Sequence, residues 1–586
     1  TFPPEGGEEE KLPSPFVMSI LPDPEKRELL WIGTWNGGVS KINTQTGEMV
    51  TYTLPSNEIY TMMFDSAGRL WAGTWGSGLY VIYPETGDVR SIDETSGQVI
   101  YSLLEDESGI IWIGTNGEGV YKYVPWENSF RSFVHDPKDP ATISDGKIIS
   151  AHFDRDGTGW FGTYNGGLNR YNPDTDTFTR YVHDPEDPNS LSNNLVNVIY
   201  RDSRGYLWIG TNGGLNRYMP ESGSFRRIFS GSGDHTLPED VVFEIAEDSS
   251  GDLWLGTNTS GVAVYSRETG SFRVLSHDPE DPRSLSDNLV RTILHDSRGG
   301  TWIGTNDGLN RYDPETDGFV RYFHDIDRPG ETISSDNIRE IYEDEKGRIW
   351  IATMGGGVSR YRRKDDSFSY ITVEDGLASN HVLGVLEDSN GNLWFPTNRG
   401  ISIYNPEDGG FRTINESNGL LSNVLTKASV RSPEGNFYIG SEKGITVIKD
   451  VTKEEQKYVP PLVITEFSVL GKPRELEQTG PHRYAPVKLD YTDSFFSLEF
   501  SLLDYSSPGQ NKYAYMLEGF DDDWKQSERN YVSYTNLDAG TYTLRIIGAG
   551  SRGNWNEDGI MIPIEVLPPW WKSTAAYMGY LFLFAA

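Results

Sequence analysis

The sequence predicts an all-β protein, a β-propeller of about ten four-stranded repeats followed by an immunoglobulin-like β-sandwich. One observation is a recurring segment whose clearest copy is DSRGYLWIGTNGGLNRY, residues 202–218. A second is its period, which lies in the forties, with turn chemistry and no helical pattern, as is typical of propeller blades. A third is a run of short, non-repeating strands after residue 460.

Each repeat is interpreted as one blade. In the clearest copy, Asp202 and Gly205 bracket a tight turn, because the Asp side chain can cap backbone N–H groups and Gly accepts positive φ. Residues 207–211 then predict a strand, and residues 212–214 turn the chain back into its antiparallel partner. Further apolar runs before the turn and after the final Tyr complete four strands.

One tryptophan aligns each repeat, and a weaker tenth copy lies at residues 437–440. The nine tryptophans are Trp31, Trp71, Trp112, Trp160, Trp208, Trp254, Trp302, Trp350 and Trp394. Ten similar repeats without a linker favour a single closed ring over residues 16–455. Because ten exceeds the usual blade number of about four to eight, two smaller rings are the alternative.

Composition excludes several classes of function. The formal net charge of −35 would repel nucleic acids and anionic membrane surfaces, so no nucleic-acid partner is predicted. The absence of cysteine excludes disulfides, thiolate catalysis and Cys-ligated metals. With 36% hydrophobic and 12% aromatic residues, the chain is able to bury large cores.

The conspicuous His and Asp residues are interpreted as structural. His135, His183, His277 and His324 begin equivalent inserts of the type HDPxDP, and a ring would hold them apart on separate blades. The Asp of each DxxG turn likewise recurs, whereas a general acid–base pair needs two carboxylates with distinct environments. No catalytic residue, metal ligand or cofactor is therefore predicted, although calcium binding by the acidic inserts stays open.

The two ends of the chain differ from the repeats. Residues 1–15, rich in Pro, Gly and Glu, predict a loose segment. Residues 460–567 contain about seven short strands, as expected for an immunoglobulin-like sandwich. Residues 568–586 begin with PPWWK, typical of a membrane interface, and become apolar. This stretch is interpreted as the start of a transmembrane helix, with a buried C-terminal strand or helix as the alternative.

These motifs resemble a known family. LWIGTNGGLNRY resembles the two-component regulator propeller repeat, and residues 513–555 are similar to the triple-tyrosine (Y_Y_Y) domain that follows such propellers. The resemblance covers about nine-tenths of the chain. It implies the extracytoplasmic sensor region of a bacterial, commonly hybrid, two-component regulator, on the periplasmic face of the inner membrane. The best-known sensors of this kind have two seven-bladed rings, whereas ten repeats are counted here.

Two functions follow as hypotheses. In the first, the chain is a non-catalytic sensor that binds an oligosaccharide or polysaccharide fragment, dimerises through its β-sandwich and signals across the membrane. The output domain, a histidine kinase or another type, lies outside the sequence. The alternative is a secreted carbohydrate-active propeller, a lyase or glycosidase, which the lack of any unique catalytic constellation disfavours.

The ligand is expected at one mouth of the propeller channel. The residues that follow each Gly-Thr, together with the HDPxDP inserts, should surround that mouth. Aromatic faces stack on sugar rings, and Asn amides bond to hydroxyls. For the Asn positions, tolerance of a left-handed turn is the favoured alternative. The predicted site comprises Trp35, Trp75 and Tyr164 as its core, with Asn116, Asn165 and Arg399, and Asn212, Asn258 and Asn306 around the mouth.

Overall fold

A computed structural model describes residues 12–124, 130–231, 235–407, 409–449, 459–493, 495–527, 529–550, 555–572 and 574–585. Most of the predicted loose segment, residues 1–11, lies outside this range. The chain divides into two compact units, which are residues 1–126 with 457–586, and residues 127–456. The prediction of an all-β fold built from four-stranded propeller sheets is confirmed.

The first unit begins with three consecutive antiparallel sheets, one for each of the first three repeats. Their strands are β1 Val17–Pro22, β2 Leu29–Thr34, β3 Gly38–Asn43 and β4 Met49–Tyr52; β5 Ile59–Phe64, β6 Leu70–Thr74, β7 Leu79–Ile82 and β8 Val89–Ile92; and β9 Ile100–Glu105, β10 Ile111–Thr115 and β11 Val120–Tyr123. The first two sheets have four strands, and the third has three. Neighbouring sheets pack through their first strands, β1 on β5 and β5 on β9.

The second unit is a ring of seven four-stranded sheets. Its strands, sheet by sheet, are β12 Phe130–Phe133, which belongs to the last sheet; β13 Ile148–Phe153, β14 Gly159–Thr163, β15 Leu168–Asn172 and β16 Thr177–Tyr181; β17 Val196–Arg201, β18 Leu207–Thr211, β19 Gly214–Met219 and β20 Ser224–Ile228; β21 Val242–Glu247, β22 Leu253–Thr257, β23 Val262–Tyr265 and β24 Phe272–Leu275; β25 Val290–His295, β26 Thr301–Thr305, β27 Leu309–Asp313 and β28 Gly318–Tyr322; β29 Ile338–Glu343, β30 Ile349–Thr353, β31 Val358–Arg362 and β32 Ser367–Ile371; β33 Leu386–Glu387, β34 Leu393–Thr397, β35 Gly400–Tyr404 and β36 Phe411–Ile414; and β37 Leu425–Arg431, β38 Phe437–Ser441 and β39 Ile445–Ile448.

The ring closes by joining the two ends of its own chain segment. β12 pairs with β39, with Phe130 opposite Ile448 and Phe133 opposite Ile445. The first strand of the last sheet, β37, packs against β13, the first strand of the first sheet. The weak tenth repeat thus obtains its fourth strand from the chain that follows the third repeat.

The prediction of a single ring of ten blades over residues 16–455 is therefore wrong. The tryptophan period counts repeats but does not reveal which sheet each outer strand joins. The third repeat gives up the strand at residues 130–133, and seven sheets close without the first three. Seven lies within the usual range of propeller blade numbers.

Every blade with a tryptophan has the same internal hydrogen bond. The indole Nε1–H donates to the Asp carboxylate of the preceding turn at 2.7 to 3.1 Å, and a second carboxylate oxygen usually caps backbone N–H groups of that turn. The pairs are Trp31–Asp23, Trp71–Asp65, Trp112–Asp106, Trp160–Asp154, Trp208–Asp202, Trp254–Asp248, Trp302–Asp296, Trp350–Asp344 and Trp394–Asp388. The structural interpretation of the DxxG aspartates is confirmed by these contacts.

The C-terminal part of the first unit is a two-sheet sandwich. One sheet has the order β41-β40-β45-β48, and the other runs β42-β43-β50-β49-β46-β47 with β44 beside β50. Their facing side chains form one core, which includes Phe496, Phe500 and Tyr513. The strands are β40 Leu462–Val469, β41 Lys472–Pro473, β42 Gln478–Gly480, β43 Arg483–Tyr484, β44 Val487–Leu489, β45 Phe495–Leu502, β46 Lys512–Glu518, β47 Lys525–Ser527, β48 Tyr531–Thr535, β49 Gly540–Ala549 and β50 Trp555–Val566.

Two contacts characterise the sandwich. The Tyr542 hydroxyl donates to the Asp538 carbonyl oxygen at 3.0 Å, a corner found in immunoglobulin-like folds. Lys122 of the third propeller sheet donates to the carbonyl oxygens of Tyr505 and Ser506 at 3.1 and 2.6 Å. The sandwich therefore packs against the sheet that has only three strands.

Short helices complete the described chain. The single-turn 3-10 helices are Asp93–Thr95, Val373–Asp375, Glu416–Asn418, Pro508–Gln510 and Trp570–Lys572, and the α-helix α1 is Thr574–Ala585. Leu583 and Phe584 of α1 are 80% and 97% exposed. The alternative of a buried C-terminal element is thus wrong. Among the described residues, no helix is both long and apolar enough to cross a membrane.

We expect the Asp202→Ala variant to destabilise the ring by about 3–5 kcal/mol, the range for removing one partner of a buried ion pair. Buried Asp202 accepts from Trp208 Nε1 at 2.7 Å and lies 3.0 Å from an Arg267 nitrogen, so its loss leaves both donors without this partner. Urea unfolding monitored by tryptophan fluorescence measures the change. Glu221→Ala, at an exposed position on the same blade, is the control, and equal stability of the two variants would contradict the structural role.

Candidate functional site

A hydroxyl contact fixes the position after each Gly-Thr. Thr211 Oγ1 donates to the Gly214 carbonyl oxygen at 2.9 Å. All nine other repeats have the equivalent contact, with Ser441 in place of Thr in the tenth. The next residue, Asn212, donates its backbone N–H to Leu195 O, immediately before the first strand of its sheet. The residues after each Thr therefore lie at the end of the sheet where the innermost strand begins, as the sequence predicts.

Four aromatic side chains form a continuous cluster on the first three repeats. The ring centroids of Trp35 and Trp75 are 5.6 Å apart, and those of Trp75 and Tyr60 are 5.7 Å apart. Tyr101 lies 5.9 Å from Trp75 and 5.3 Å from Tyr60. Trp75 and Tyr101 are each 39% exposed, so part of the cluster is accessible to solvent. The repeat pattern predicts the two tryptophans but not the tyrosines, which lie on strands β5 and β9.

The other predicted residues are divided between the two units. Asn116 belongs to the unit of Trp35 and Trp75 and is exposed. Tyr164 belongs to the ring, where Lys147 Nζ lies 4.4 Å from the centre of its aromatic ring. The expectation that Tyr164 shares one mouth with the two tryptophans depended on a single ring of ten blades, and the closed ring of seven removes that basis.

The ring contains the remaining predicted positions, of which two have amide partners. Asn197 Nδ2 donates to Asn212 Oδ1 at 2.9 Å, and Asn337 Nδ2 donates to Asn306 Oδ1 at 3.0 Å. Amide pairs of this kind hold the side chains in place. The NH₂ groups of Asn212 and Asn306 are not used in these two contacts.

The favoured explanation for the Asn positions, tolerance of a left-handed turn, is wrong. The non-glycine residues with positive φ in the described chain do not include Asn116, Asn212, Asn258 or Asn306. The following glycines take that conformation instead, for example Gly214 at a φ of 123°. The choice of Asn at these positions is therefore not explained by backbone geometry.

Asn165 and Arg399 lie in exposed positions of the same kind of turn. The Asn165 backbone N–H donates to Asp145 Oδ2 at 2.9 Å, and that of Arg399 donates to Thr397 Oγ1 at 3.0 Å. Both side chains are exposed. They are placed where a ligand at the mouth of the ring could reach them.

The HDPxDP inserts approach the mouth only with their last residues, since Ser192 Oγ lies 2.8 Å from Thr211 Oγ1. Their first residues lie elsewhere, which corrects part of the sequence expectation. The insert that begins at His183 is held by Arg227, which donates to Ser190 O and Asp187 O at 2.7 and 2.8 Å. Arg227 lies on β20, the outermost strand of the following blade. The first part of this insert therefore connects neighbouring blades at the outside of the ring.

The histidines take part in these connections. Each Nδ1 lies within hydrogen-bond distance of a carbonyl oxygen in its own insert, at 2.7 to 2.9 Å. The pairs are His135–Ile143, His183–Leu191, His277–Leu285 and His324–Ile333. Their interpretation as turn residues is confirmed by this geometry. Within the part of the chain that the structure describes, no group of three or more His, Asp or Glu side chains is placed to hold a metal ion.

The repeat pattern does not predict a cluster of charges that lies at the centre of the ring. Lys427 of β37 donates from Nζ to the Phe243 carbonyl oxygen of β21 at 3.1 Å. These strands belong to sheets on opposite sides of the ring, so the lysine reaches across its axis. Glu244 and Glu340 act electrostatically on Lys427, as do Arg291 and Arg339.

Enclosure by the ring changes the pKa values of this cluster. Removal from bulk water raises the pKa of Glu244 to about 6, and it raises that of Glu340 to about 8 with a contribution from the charge of Glu244. The same cause lowers the pKa of Lys427. Glu244 and Glu340 are half-buried and Lys427 is exposed, so these side chains are not part of a packed core. Glu340 is therefore mainly protonated at neutral pH.

Comparison with known protein families identifies both modules. Models of the "Two component regulator propeller" match residues 53–76, 95–117, 190–213, 236–259, 284–307, 332–355 and 376–398. The "Y_Y_Y domain" model matches residues 504–567. The repeats and the following domain correspond to the resemblance that the sequence suggested.

Individual proteins are also similar. "Histidine kinase P4" of Formosa agariphila is 27% identical over 228 residues, which are 38% of this chain and 17% of that kinase. The chain thus matches a small part of this relative. The extracellular domain of a putative hybrid two component system from B. thetaiotaomicron is 25% identical, with a TM-score of 0.58 over 93% of this chain and 77% of that one. A second such extracellular domain from the same organism is 25% identical, with a TM-score of 0.46 over 95% and 74%.

We expect stability to fall as the pH rises from about 5 to 8, in part because Glu340 must ionise inside the channel. Its pKa in the folded protein, about 8, lies above the ordinary value of 4.5, so the folded state holds the proton more tightly and loses this advantage as the pH rises. The free energy of unfolding of the Glu340→Gln variant should fall less over this interval. The difference is about 1 kcal/mol for each unit by which the pKa of Glu340 in the folded protein exceeds its ordinary value. Thermal unfolding at several pH values measures the difference. Glu280→Gln, in an exposed insert, should follow the wild type, and identical pH profiles for all three proteins would refute the assignment.

Proposed function

We propose that this chain, which carries two component regulator propeller repeats followed by a Y_Y_Y domain, is the extracytoplasmic ligand-binding region of a bacterial signalling protein. The observation that carries the proposal is the order of these modules, together with a likeness over 93% of the chain to an extracellular domain of a putative hybrid two component system. In this role the chain binds a ligand and performs no catalysis. A kinase output, as in the Formosa relative, would belong to other parts of the protein.

An oligosaccharide is the proposed ligand, and the Trp35–Trp75 cluster supports it. Two indole rings and two phenol rings are in contact, and one ring of each kind is exposed, which suits stacking on the C–H faces of sugar rings. The hydroxyl groups of the two tyrosines and the amide of Asn116, in the same unit, are able to form hydrogen bonds with sugar hydroxyls. The ring mouth with Tyr164, Asn165 and Arg399 is proposed as a second contact region.

Membrane attachment and location are part of the proposal. The α1 helix, Thr574–Ala585, directly follows the sandwich and exposes apolar side chains such as Leu583 and Phe584. An exposed apolar helix is unfavourable in water and favourable in a bilayer. We infer that α1 enters the inner membrane and that the remaining chain lies on the periplasmic side.

The Trp35→Ala and Trp75→Ala variants should each weaken binding of an active glycan about tenfold or more, since an aromatic residue central to a binding site contributes about 2 kcal/mol or more. A panel of plant and marine oligosaccharides is first tested by thermal shift and by analysis of released products. Stabilisation without cleavage supports a sensor, whereas cleavage would establish the alternative, a secreted lyase or glycosidase. Calorimetry with the active glycan then measures the two variants.

Two further variants make this test specific. Tyr164→Ala reports on the ring mouth, which lies in the other unit. Tyr206→Ala removes a 45% exposed tyrosine from a turn of the ring and is the matched control. Unchanged affinity in both tryptophan variants would place the glycan elsewhere, and loss with Tyr164→Ala alone would place it at the ring mouth.

We also propose that the sandwich forms a two-fold dimer next to the membrane, because signalling through paired helices requires two copies. Analytical ultracentrifugation of the chain with its ligand should show association that increases with protein concentration. Removal of residues 460–586 should abolish it. A chain that stays monomeric at high concentration with saturating ligand would exclude this dimer.

A further inference from the structure

The ring has two arginines at its centre that its fold does not require. Arg291 of β25 and Arg339 of β29 each occupy the unpaired bulge position of the first strand of their sheet. Other repeats place neutral residues at the same position, namely Ile149 and Asn197. Because those blades form the same bulge without a charge, neither arginine is explained by blade geometry. Bulges commonly direct a side chain toward a functional site.

Neither guanidinium has an ionic partner within the described residues. The Nε atoms of Arg291 and Arg339 are buried and make no hydrogen bond to the part of the protein that the structure describes. Arg291 stacks on the ring of Phe243, 4.9 Å from its centre. A buried donor without a hydrogen bond is costly, and like charges close together add to that cost. The pKa of Arg291 is lowered by burial and by the charge of Arg339.

Positive charges predominate among the side chains that act on Lys427 and Lys427 itself, in a chain whose net charge is −35. Arg291, Arg339 and the axial Lys427 contribute three cations, whereas Glu340 is mainly protonated at neutral pH. Glu244 supplies the opposing charge in the channel. Asp287, before β25, acts on Arg291 only weakly compared with burial. A local excess of positive charge in an enclosed site favours an anion.

We propose that the channel of the seven-bladed ring is a binding site for an oxyanion, a carboxylate or sulfate group, held by Arg291 and Arg339 with Lys427 beside it. Guanidinium groups present paired N–H donors that match the oxygens of such groups. The anion supplies the ionic partner that the protein does not provide. This site goes beyond the proposed function, because it lies in the ring and does not involve the Trp35–Trp75 cluster.

The chemistry narrows the class of molecule. A neutral sugar has no group that compensates two guanidiniums, whereas a uronic acid or a sulfated sugar has one. The free inorganic anion has the same group without a sugar ring. The shared feature is the oxyanion, and the choice between a free ion and an acidic sugar is made by the experiment.

Calorimetry of the whole chain with sodium glucuronate, sodium sulfate and glucose, at constant ionic strength, tests the site. We expect wild-type protein to bind at least one of the two anions and not glucose at this site. Binding of both would show that the oxyanion alone is recognised, and binding of glucuronate alone that the sugar ring contributes. Absence of binding of both anions would overturn the proposal.

Variants locate the anion. Arg291→Gln and Arg339→Gln should each weaken anion binding about tenfold or more, as expected for loss of a charge-assisted contact. Arg226→Gln removes the same charge from an exposed position on β20 and should leave affinity unchanged. Equal affinity in all four proteins would show that the anion binds outside the channel.

Stability without ligand distinguishes a binding role from a structural one. If the arginines serve a ligand, each Arg→Gln variant should melt at or above the wild-type temperature, because a buried repulsion is relieved. A marked decrease in melting temperature would mean that they support the fold, and would contradict the proposal. Wild-type protein alone provides a further measurement, since anion affinity should decrease from pH 7 to 9 as Glu340 ionises, and Glu340→Gln should reduce that decrease. A pH-independent affinity would also count against the channel site.

Discussion

The hydrogen bond between the indole of one strand and the carboxylate of the preceding turn is the interaction on which the propeller depends. It fixes the first hairpin of each blade, and it places the tryptophan in the apolar interface with the neighbouring blade. Trp208 and Asp202 show why the pair is effective, because both are buried and the carboxylate also caps its turn. The tenth repeat lacks this pair, and Phe437 stacks on Trp394 of the preceding blade at 4.2 Å instead.

Repetition of this contact explains both the success and the limit of sequence reasoning. The blade pattern and the sandwich strands were predictable because they depend on residues close together in sequence. Ring closure was not, since residues 130–133 look like any fourth strand and only their pairing with β39 makes the ring. The Asn positions were interpreted through backbone geometry, whereas Asn212 has an amide partner. The cluster around Lys427 was missed because its members lie on separate repeats.

The candidate sites differ in physical character. The Trp35–Trp75 cluster is apolar, exposed and held by neighbouring rings, so it suits a ligand that contributes flat hydrophobic faces. The channel is enclosed and charged, so it suits a ligand with a compact ionic group. Arg291 and Glu340 occupy strand positions at which other repeats carry neutral residues. A repeated scaffold can thus vary single positions without changing its fold.

The pairing of β12 with β39 has a consequence for the order in which the chain folds. Phe130 and Ile448 lie opposite each other, so the two ends of the ring segment are neighbours in one sheet. The ring is thus an insertion between the two parts of the first unit, residues 1–126 and 457–586. Once the ring has closed, its two chain ends are close together, so it connects the two parts of the first unit as a short linker would. The entropy cost of bringing these parts together therefore decreases. The third sheet, which contacts the sandwich through Lys122, lacks this partner until the residues after the ring have been synthesised.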